Sequence, residues 1–215
     1  MSRPLLILVR HGESEWNADG RLVGRADPPL TALGLRQAEA AGHQLAIERA
    51  ASCPEGRPAR PVEVRTSPLS RARVTAEVLA HALGCPGEVI VDEGLVELDY
   101  GSLDGLRLSE VGQDRWAAWR ADPTWRPPGG ESLAEVHDRV GRLCEKAAAE
   151  IAERDRDVVA VSHVSPIKAA VGWALSAGPE IAWHLSLGVA TISRLATAPK
   201  GLVSFGEASH LTVLG

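Results

Sequence analysis

The chain has 215 residues, of which 45% are hydrophobic and 24% charged, and its formal net charge is −5. That length suffices for one substantial core, so a single domain over 1–215 is expected. The acidic balance argues against a general nucleic-acid or membrane-surface binder, and an anionic substrate must be caught by local cations.

No uninterrupted apolar stretch reaches the length of a membrane span. The first residues also lack a secretory-leader pattern, because an apolar strand starts by Leu5. Cys53, Cys85 and Cys144 are odd in number and lack metal-ligand spacing, so they read as reduced thiols of a cytoplasmic protein.

In chain order, Leu5-Leu6-Ile7-Leu8-Val9 is too short for a helix and suits a strand buried on both faces. It ends at Arg10-His11-Gly12, which sets a cation and an imidazole beside a residue whose backbone can approach an anion closely. Residues 17–29 are rich in Gly, Asp and Pro and read as a loop. Thr31 caps a predicted helix through Leu35, Ala38, Ala41 and Leu45. Residues 50–61 read as a solvated loop, followed by a short strand from Val62 to Val64. Thr66 to Arg71 turns into a helix reaching about Leu83, and Val89 to Val91 gives a further strand.

The least regular stretch, 106–130, contains Trp116, Trp119 and Trp125 and ends in Pro127-Pro128-Gly129-Gly130. With its flank it forms a lid-like segment over about 102–130, suited either to a satellite core or to a substrate-contacting cover. Ser132 and Glu135 make a capping box for a long helix ending near Arg154. Val158 to Val161 is a second buried strand that ends at a histidine, His163, and Pro166 opens a helix through Leu175. The tail alternates around Thr191 to Leu195 and Val203 to Phe205, as edge strands do. Strands alternating with helices predict a three-layer α/β/α sandwich with a largely parallel central sheet.

Four features share one address, each following a predicted strand: Arg10-His11, Arg71, Glu97 and His163. In a parallel sheet such positions converge on one rim. The set suits phosphoryl transfer. A neutral imidazole attacks phosphorus and splits one hard displacement into two. Arg10 and Arg71 grip phosphate oxygens, and a protonated His163 adds a hydrogen bond. Glu97 donates a proton to the leaving group, with Glu93, Asp99 and Asp104 as competing candidates for that role. Glu13 and Glu15 lack a His/Asp cluster at ligand spacing, so no metal site and no cofactor are expected.

Arg10-His11-Gly12-Glu13-Ser14-Glu15-Trp16-Asn17 resembles the signature of the histidine phosphatase superfamily, the phosphoglycerate-mutase-like enzymes. Ser67-Pro68-Leu69-Ser70-Arg71-Ala72, Glu97-Leu98-Asp99-Tyr100-Gly101, Gly129-Gly130-Glu131-Ser132 and Val161-Ser162-His163 resemble its later motifs in order. The resemblance implies that His11 is the phosphorylated nucleophile, that Arg10, Arg71 and His163 hold the phosphoryl group, and that Glu97 is the acid/base. It places Asn17, Val23, Gly24 and Val164 at substrate-binding positions. Val164-Ser165-Pro166-Ile167-Lys168 departs from the glycine usual after the second histidine. It is similar to bacterial acid phosphatases found alone or fused to an RNase H domain, and to the α-ribazole phosphatase-like branch. Val23 replaces a polar residue of many relatives. The expected partner is a small phosphorylated metabolite, with no nucleic acid and no membrane; a homodimer is compatible with the sequence. The rival readings are a cofactor-dependent phosphoglycerate mutase, disfavoured by the short interval from Glu97 to His163, and a non-catalytic phospho-ligand binding module. The tryptophans hint at an apolar or ring-bearing leaving group.

Overall fold

The computed structural model describes residues 3–52, 59–85 and 89–214. Among them, one sheet is built from β1 (Leu5–Arg10), β2 (Val62–Thr66), β3 (Val89–Val91), β4 (Asp157–Ser162), β5 (Ile192–Thr197) and β6 (Lys200–Glu207). Its order is β3-β2-β4-β1-β5-β6. The first four of these strands pair in parallel, and β5 alone runs against the rest, antiparallel to both β1 and β6. The helices are α1 (Glu15–Ala18), α2 (Ala32–Ala51), α3 (Ser70–Ala82), α4 (Gln113–Ala121), α5 (Leu133–Arg154) and α6 (Val164–Leu175).

Period-two alternation within apolar strands explains the layers, because successive side chains leave opposite faces of a sheet. Leu6, Leu8, Val158, Ala160 and Leu195 pack against α5 and α6. Val9, Val64, Val159, Val161 and Ile192 pack against α2 and α3. This is the three-layer α/β/α sandwich that the alternation of elements predicts.

The predicted caps form. Thr31 Oγ1 accepts from Gly34 N at 2.9 Å and opens α2. Ser132 Oγ accepts from Glu135 N at 3.2 Å, while the Glu135 carboxylate accepts from Ser132 N at 2.8 Å and opens α5. Each satisfies main-chain donors that a helix start leaves without partners.

Four local expectations need correction. The loop assigned to 17–29 begins inside α1, which Ser14 and Asn17 close as a reciprocal capping box; a single turn is too short to show periodicity. The irregular stretch 106–130 contains α4 and a 3-10 turn, Leu108–Glu110. Helix α2 runs to Ala51, into the segment assigned to a loop; 53–58, including Cys53, lie outside the described residues. Strand β5 is interior, because Leu195 serves one core and Ile192 the other while β6 takes the edge. Cys85 and Cys144 are free thiols. Among the described residues no helix is long and apolar enough to cross a membrane.

The strand register positions the site. Val9, Val161, Thr66 and Val91 stand side by side in adjacent parallel strands. The segments that follow them therefore leave the sheet at one edge. From adjacent strands, the chain departs after β1 toward the α2 face and after β4 toward the α6 face. That divergence opens a crevice at the carboxyl ends of the strands.

Candidate active site

His11 emerges from β1 into this crevice and is 3% exposed. Its Nδ1 lies 2.7 Å from the Gly12 carbonyl, which can only accept, so Nδ1 carries the proton. Its Nε2 accepts from Arg71 Nε at 3.3 Å and is therefore unprotonated. Burial first, then the charges of Arg10 and Arg71, hold the His11 pKa well below the ordinary histidine value. The imidazole is neutral, with its lone pair on Nε2. The main chain is pinned as well, since His11 N donates to Ser162 O at 3.0 Å and Ala190 N donates to His11 O at 3.0 Å.

His163 caps α6, and its ring centroid lies 5.0 Å from that of His11. Its Nε2 bonds Ser67 Oγ at 2.7 Å, while its Nδ1 is buried without a hydrogen-bond partner. Burial, followed by His11 and the arginines, lowers its pKa well below the ordinary value. His163 is thus neutral here, and its protonation requires an anion beside it.

Arg71 is fully buried and held from three sides. Nη1 donates to Ala26 O at 2.8 Å, Nη2 to Gly24 O at 2.9 Å, and Nε to His11. A guanidinium has five N–H donors, so two are left for a further acceptor. Arg10 donates from Nη1 to Leu187 O at 2.7 Å, and its Nε is buried without a partner. Burial lowers both arginine pKa values, with Glu97 opposing the shift, yet guanidinium remains charged.

Glu97 is 3% exposed and is gripped by main chain. Oε1 accepts from Leu98 N at 2.7 Å and Ser165 N at 3.1 Å; Oε2 accepts from Val164 N at 3.1 Å. The carboxylate thus sits at the amino end of α6, where unpaired N–H groups favour an anion. None of its three competitors lines the cavity that Glu97 faces. Glu93 is exposed, Asp99 accepts from Gly101 N at 2.8 Å, and Asp104 accepts from Gly24 N and Ala26 N, both at 2.8 Å.

A cavity of about 510 Å³ opens over this group. Arg10, His11, Asn17, Val23, Glu97 and Val164 line it, whereas Arg71 and His163 are buried against His11. Gly24 does not line the cavity. Its N–H is taken by Asp104 and its carbonyl by Arg71, and a Cβ there would lie 2.8 Å from Leu98 O. It therefore serves the site by holding Arg71.

Sequence reading missed several contributors. Tyr100 lines the cavity, and burial with the charge of Glu97 raises its hydroxyl pKa. Lys168 also lines it and donates from Nζ to Ala182 O at 2.8 Å; burial lowers its pKa while Glu97 opposes the shift. Trp183 joins Trp116 and Trp119 in the wall, and Trp125 packs on Trp119 at 5.3 Å between ring centroids. His210 bonds Ala190 O at 2.9 Å and steadies a residue at φ 53° whose N–H holds His11. Helical spacing on α6 links Lys168 to Val164; the other contacts come from distant segments. Among the described residues no group of three or more His, Cys, Asp or Glu is arranged to hold a metal ion.

The model of the histidine phosphatase superfamily (branch 1) matches residues 6–205. A bifunctional protein of Mycobacterium tuberculosis (Rv2228c) is 36% identical over 191 residues, covering 87% of this chain and 49% of that protein. The chain thus spans about half the length of that relative. A 2,3-bisphosphoglycerate-dependent phosphoglycerate mutase of Brucella melitensis is 36% identical over 202 residues, covering 91% of this chain and 93% of the mutase. Among solved structures, the mycobacterial glucosyl-3-phosphoglycerate phosphatase Rv2419c superposes with a TM-score of 0.81 at 28% identity, covering 95% of this chain and 100% of that one. A phosphoserine phosphatase from Entamoeba histolytica superposes with a TM-score of 0.82 at 26% identity, covering 97% of this chain and 99% of that one.

Proposed function

We propose that this chain, which belongs to the histidine phosphatase superfamily, is a metal-independent phosphomonoesterase of acid phosphatase type acting on a small phosphorylated metabolite. One observation carries the reading. The His11 imidazole is fixed with its Nδ1–H donated to Gly12 O and its Nε2 lone pair beside Arg71, while Arg10 Nε and His163 Nδ1 are buried without hydrogen-bond partners. Such groups are costly unless a ligand satisfies them.

In the first step the Nε2 lone pair attacks phosphorus, an N–P bond forms, and the ester P–O bond breaks. Glu97 takes up a proton on Oε2, the oxygen that accepts a single main-chain bond, from the incoming phosphate monoanion and passes it to the leaving oxygen. Arg10, the two remaining Arg71 donors and a protonated His163 neutralise the equatorial oxygens as charge develops. In the second step water attacks phosphorus and passes a proton to Glu97. The N–P bond breaks, and the lone pair returns to Nε2.

A mutase is the second reading, favoured by the Brucella relative, which this chain matches over 93% of its length. The short interval between Glu97 and His163 does not separate the chain from a mutase of that size. The distinction is chemical: a mutase returns the phosphoryl group to its acceptor before water reaches it.

The test is phosphate release from a panel of phosphomonoesters in EDTA, wild type beside His11→Ala. The panel includes phosphoserine and 3-phosphoglycerate, the latter with and without 2,3-bisphosphoglycerate. His11-dependent release that survives EDTA is the expected result. Chelator-sensitive release contradicts the metal-free mechanism, and interconversion of phosphoglycerates outrunning release identifies a mutase.

A further inference from the structure

We infer that the substrate's leaving group carries a planar aromatic ring, and that Trp116 and Trp183 are the residues that select it. The inference rests on the phosphomonoesterase reading and names the substrate class of that same site.

The cavity volume of about 510 Å³ lies within the range that encloses a drug-sized ligand. A phosphoryl group with a three-carbon alcohol fills only part of it. Beyond Arg10, His11 and Glu97, the lining is dominated by Leu22, Val23, Leu108, Trp116, Trp119 and Trp183. Two further cations reach the cavity: Arg21 donates to Gly105 O at 2.8 Å and Lys168 to Ala182 O at 2.8 Å, and each keeps donors for a polar group carried on the leaving group. The apolar wall is what such polar contacts leave unfilled, and a ring fills it.

The tryptophans are arranged as a corner. Trp116 and Trp119 stack with centroids 5.8 Å apart and planes 11° from parallel. Trp183 stands edge-on to both, at 6.2 Å and 89° from Trp116 and at 5.9 Å and 80° from Trp119. Trp119 is 2% exposed and forms the packed centre, whereas Trp116 and Trp183 are half-buried cavity residues. Perpendicular indoles offer an incoming ring one face to stack on and one edge to meet, the two favoured aromatic geometries. Outside the cavity, the Arg120 guanidinium lies over the Trp183 ring, 5.5 Å from its centroid.

The test compares 2-(2-naphthyl)ethyl phosphate with propyl phosphate on the full chain. Both are primary alkyl esters of similar leaving-group acidity, so kcat/KM reports leaving-group binding. The naphthyl ester is expected to be preferred by about tenfold or more, chiefly through KM, because a ring is buried against a preformed wall. Trp116→Ala and Trp183→Leu should each move that ratio toward one. Trp183→Leu retains apolar bulk without the flat face, and urea unfolding verifies that both variants fold. A wild-type ratio near one, or a preference for 3-phosphoglycerate, with His11-dependent phosphate release intact, overturns the ring inference and leaves the phosphatase standing. A preference that survives both substitutions in folded protein also overturns it. Absence of His11-dependent release from every ester removes the phosphatase reading and the inference together.

Discussion

Gly34→Ala separates helix propensity from tertiary packing, because the two act in opposite directions. In an unconstrained helix, alanine in place of glycine gains about 1 kcal/mol. Gly34 lies in the first turn of α2, where an added Cβ would stand 2.1 Å from Glu13 O and 2.9 Å from both Glu13 C and Glu13 N. The contact is backbone against backbone; reciprocally, a Cβ on Gly12 would stand 2.2 Å from Gly34 O. Relief requires α2 to withdraw from the loop that follows His11. That movement strains Glu13 N to Gln37 Oε1 at 2.8 Å, Thr31 N to Glu13 O at 2.9 Å and Thr31 Oγ1 to Glu13 Oε1 at 2.8 Å. Each such bond is worth about 1 kcal/mol, and overpacking adds about 1–3 kcal/mol. The penalty outweighs the propensity gain, leaving a net loss of roughly 3 kcal/mol. For a chain of this size that lowers Tm by about 6–12 °C. Gly141→Ala is the control, since Gly141 lies in α5 with nothing within 4 Å of the added Cβ, and it should stabilise by up to about 1 kcal/mol. Urea unfolding of both variants decides the matter. Gly34→Ala should also lose phosphatase activity, because the displaced loop includes the Gly12 carbonyl that fixes His11 Nδ1. A Gly34→Ala protein as stable as wild type would refute the packing argument.

Three further outcomes are expected. Arg71→Lys should reduce kcat/KM by at least about 100-fold, because an ammonium cannot reach Gly24 O, Ala26 O and the phosphoryl group in one plane; steady-state kinetics check this. Asp104→Ala frees Gly24 N and Ala26 N, whose residues hold Arg71 by their carbonyls. Stability should fall by about 2 kcal/mol, measured in urea, with a loss of kcat/KM. The pH dependence follows from the two lowered histidine pKa values. Below about 6.5 the unfolded chain binds protons that folded His11 and His163 refuse, so their contribution is fully present above about 6.5 and is lost as pH falls from there toward the folded values. Urea midpoints from neutral to acidic pH should decline over that window, while the acid limb of kcat/KM should lie below 6.5. A midpoint independent of pH there contradicts neutral buried imidazoles.

The architecture was legible where one segment carries its own signal. The apolar run ending at Arg10-His11, the Thr31 cap and the Ser132–Glu135 box each read correctly, because alternation and capping are local. The convergence of Arg71, Glu97 and His163 on His11 followed from topology, since parallel strands end at one edge. What escaped was set by contacts between distant segments. Gly24 stands at a substrate-facing position by resemblance, yet its polar groups are committed to Asp104 and Arg71. Trp183 completes a wall begun 64 positions earlier, at Trp119, and neither segment is periodic enough to announce the pairing. The interior place of β5 depends on its pairing with β1, which its own residues do not encode. A helix of four residues, α1, is defined by one capping box amid turn formers.

The central claim is a covalent phosphoryl group on His11 Nε2. Rapid-quench turnover of a phosphomonoester in EDTA, stopped in alkali where phosphohistidine survives, followed by peptide mass spectrometry, tests it directly. The account predicts one phosphoryl adduct per active chain, on the peptide containing His11, formed and lost at rates that match turnover and missing from His11→Ala. An adduct on another residue, or full turnover by folded His11→Ala, would contradict it.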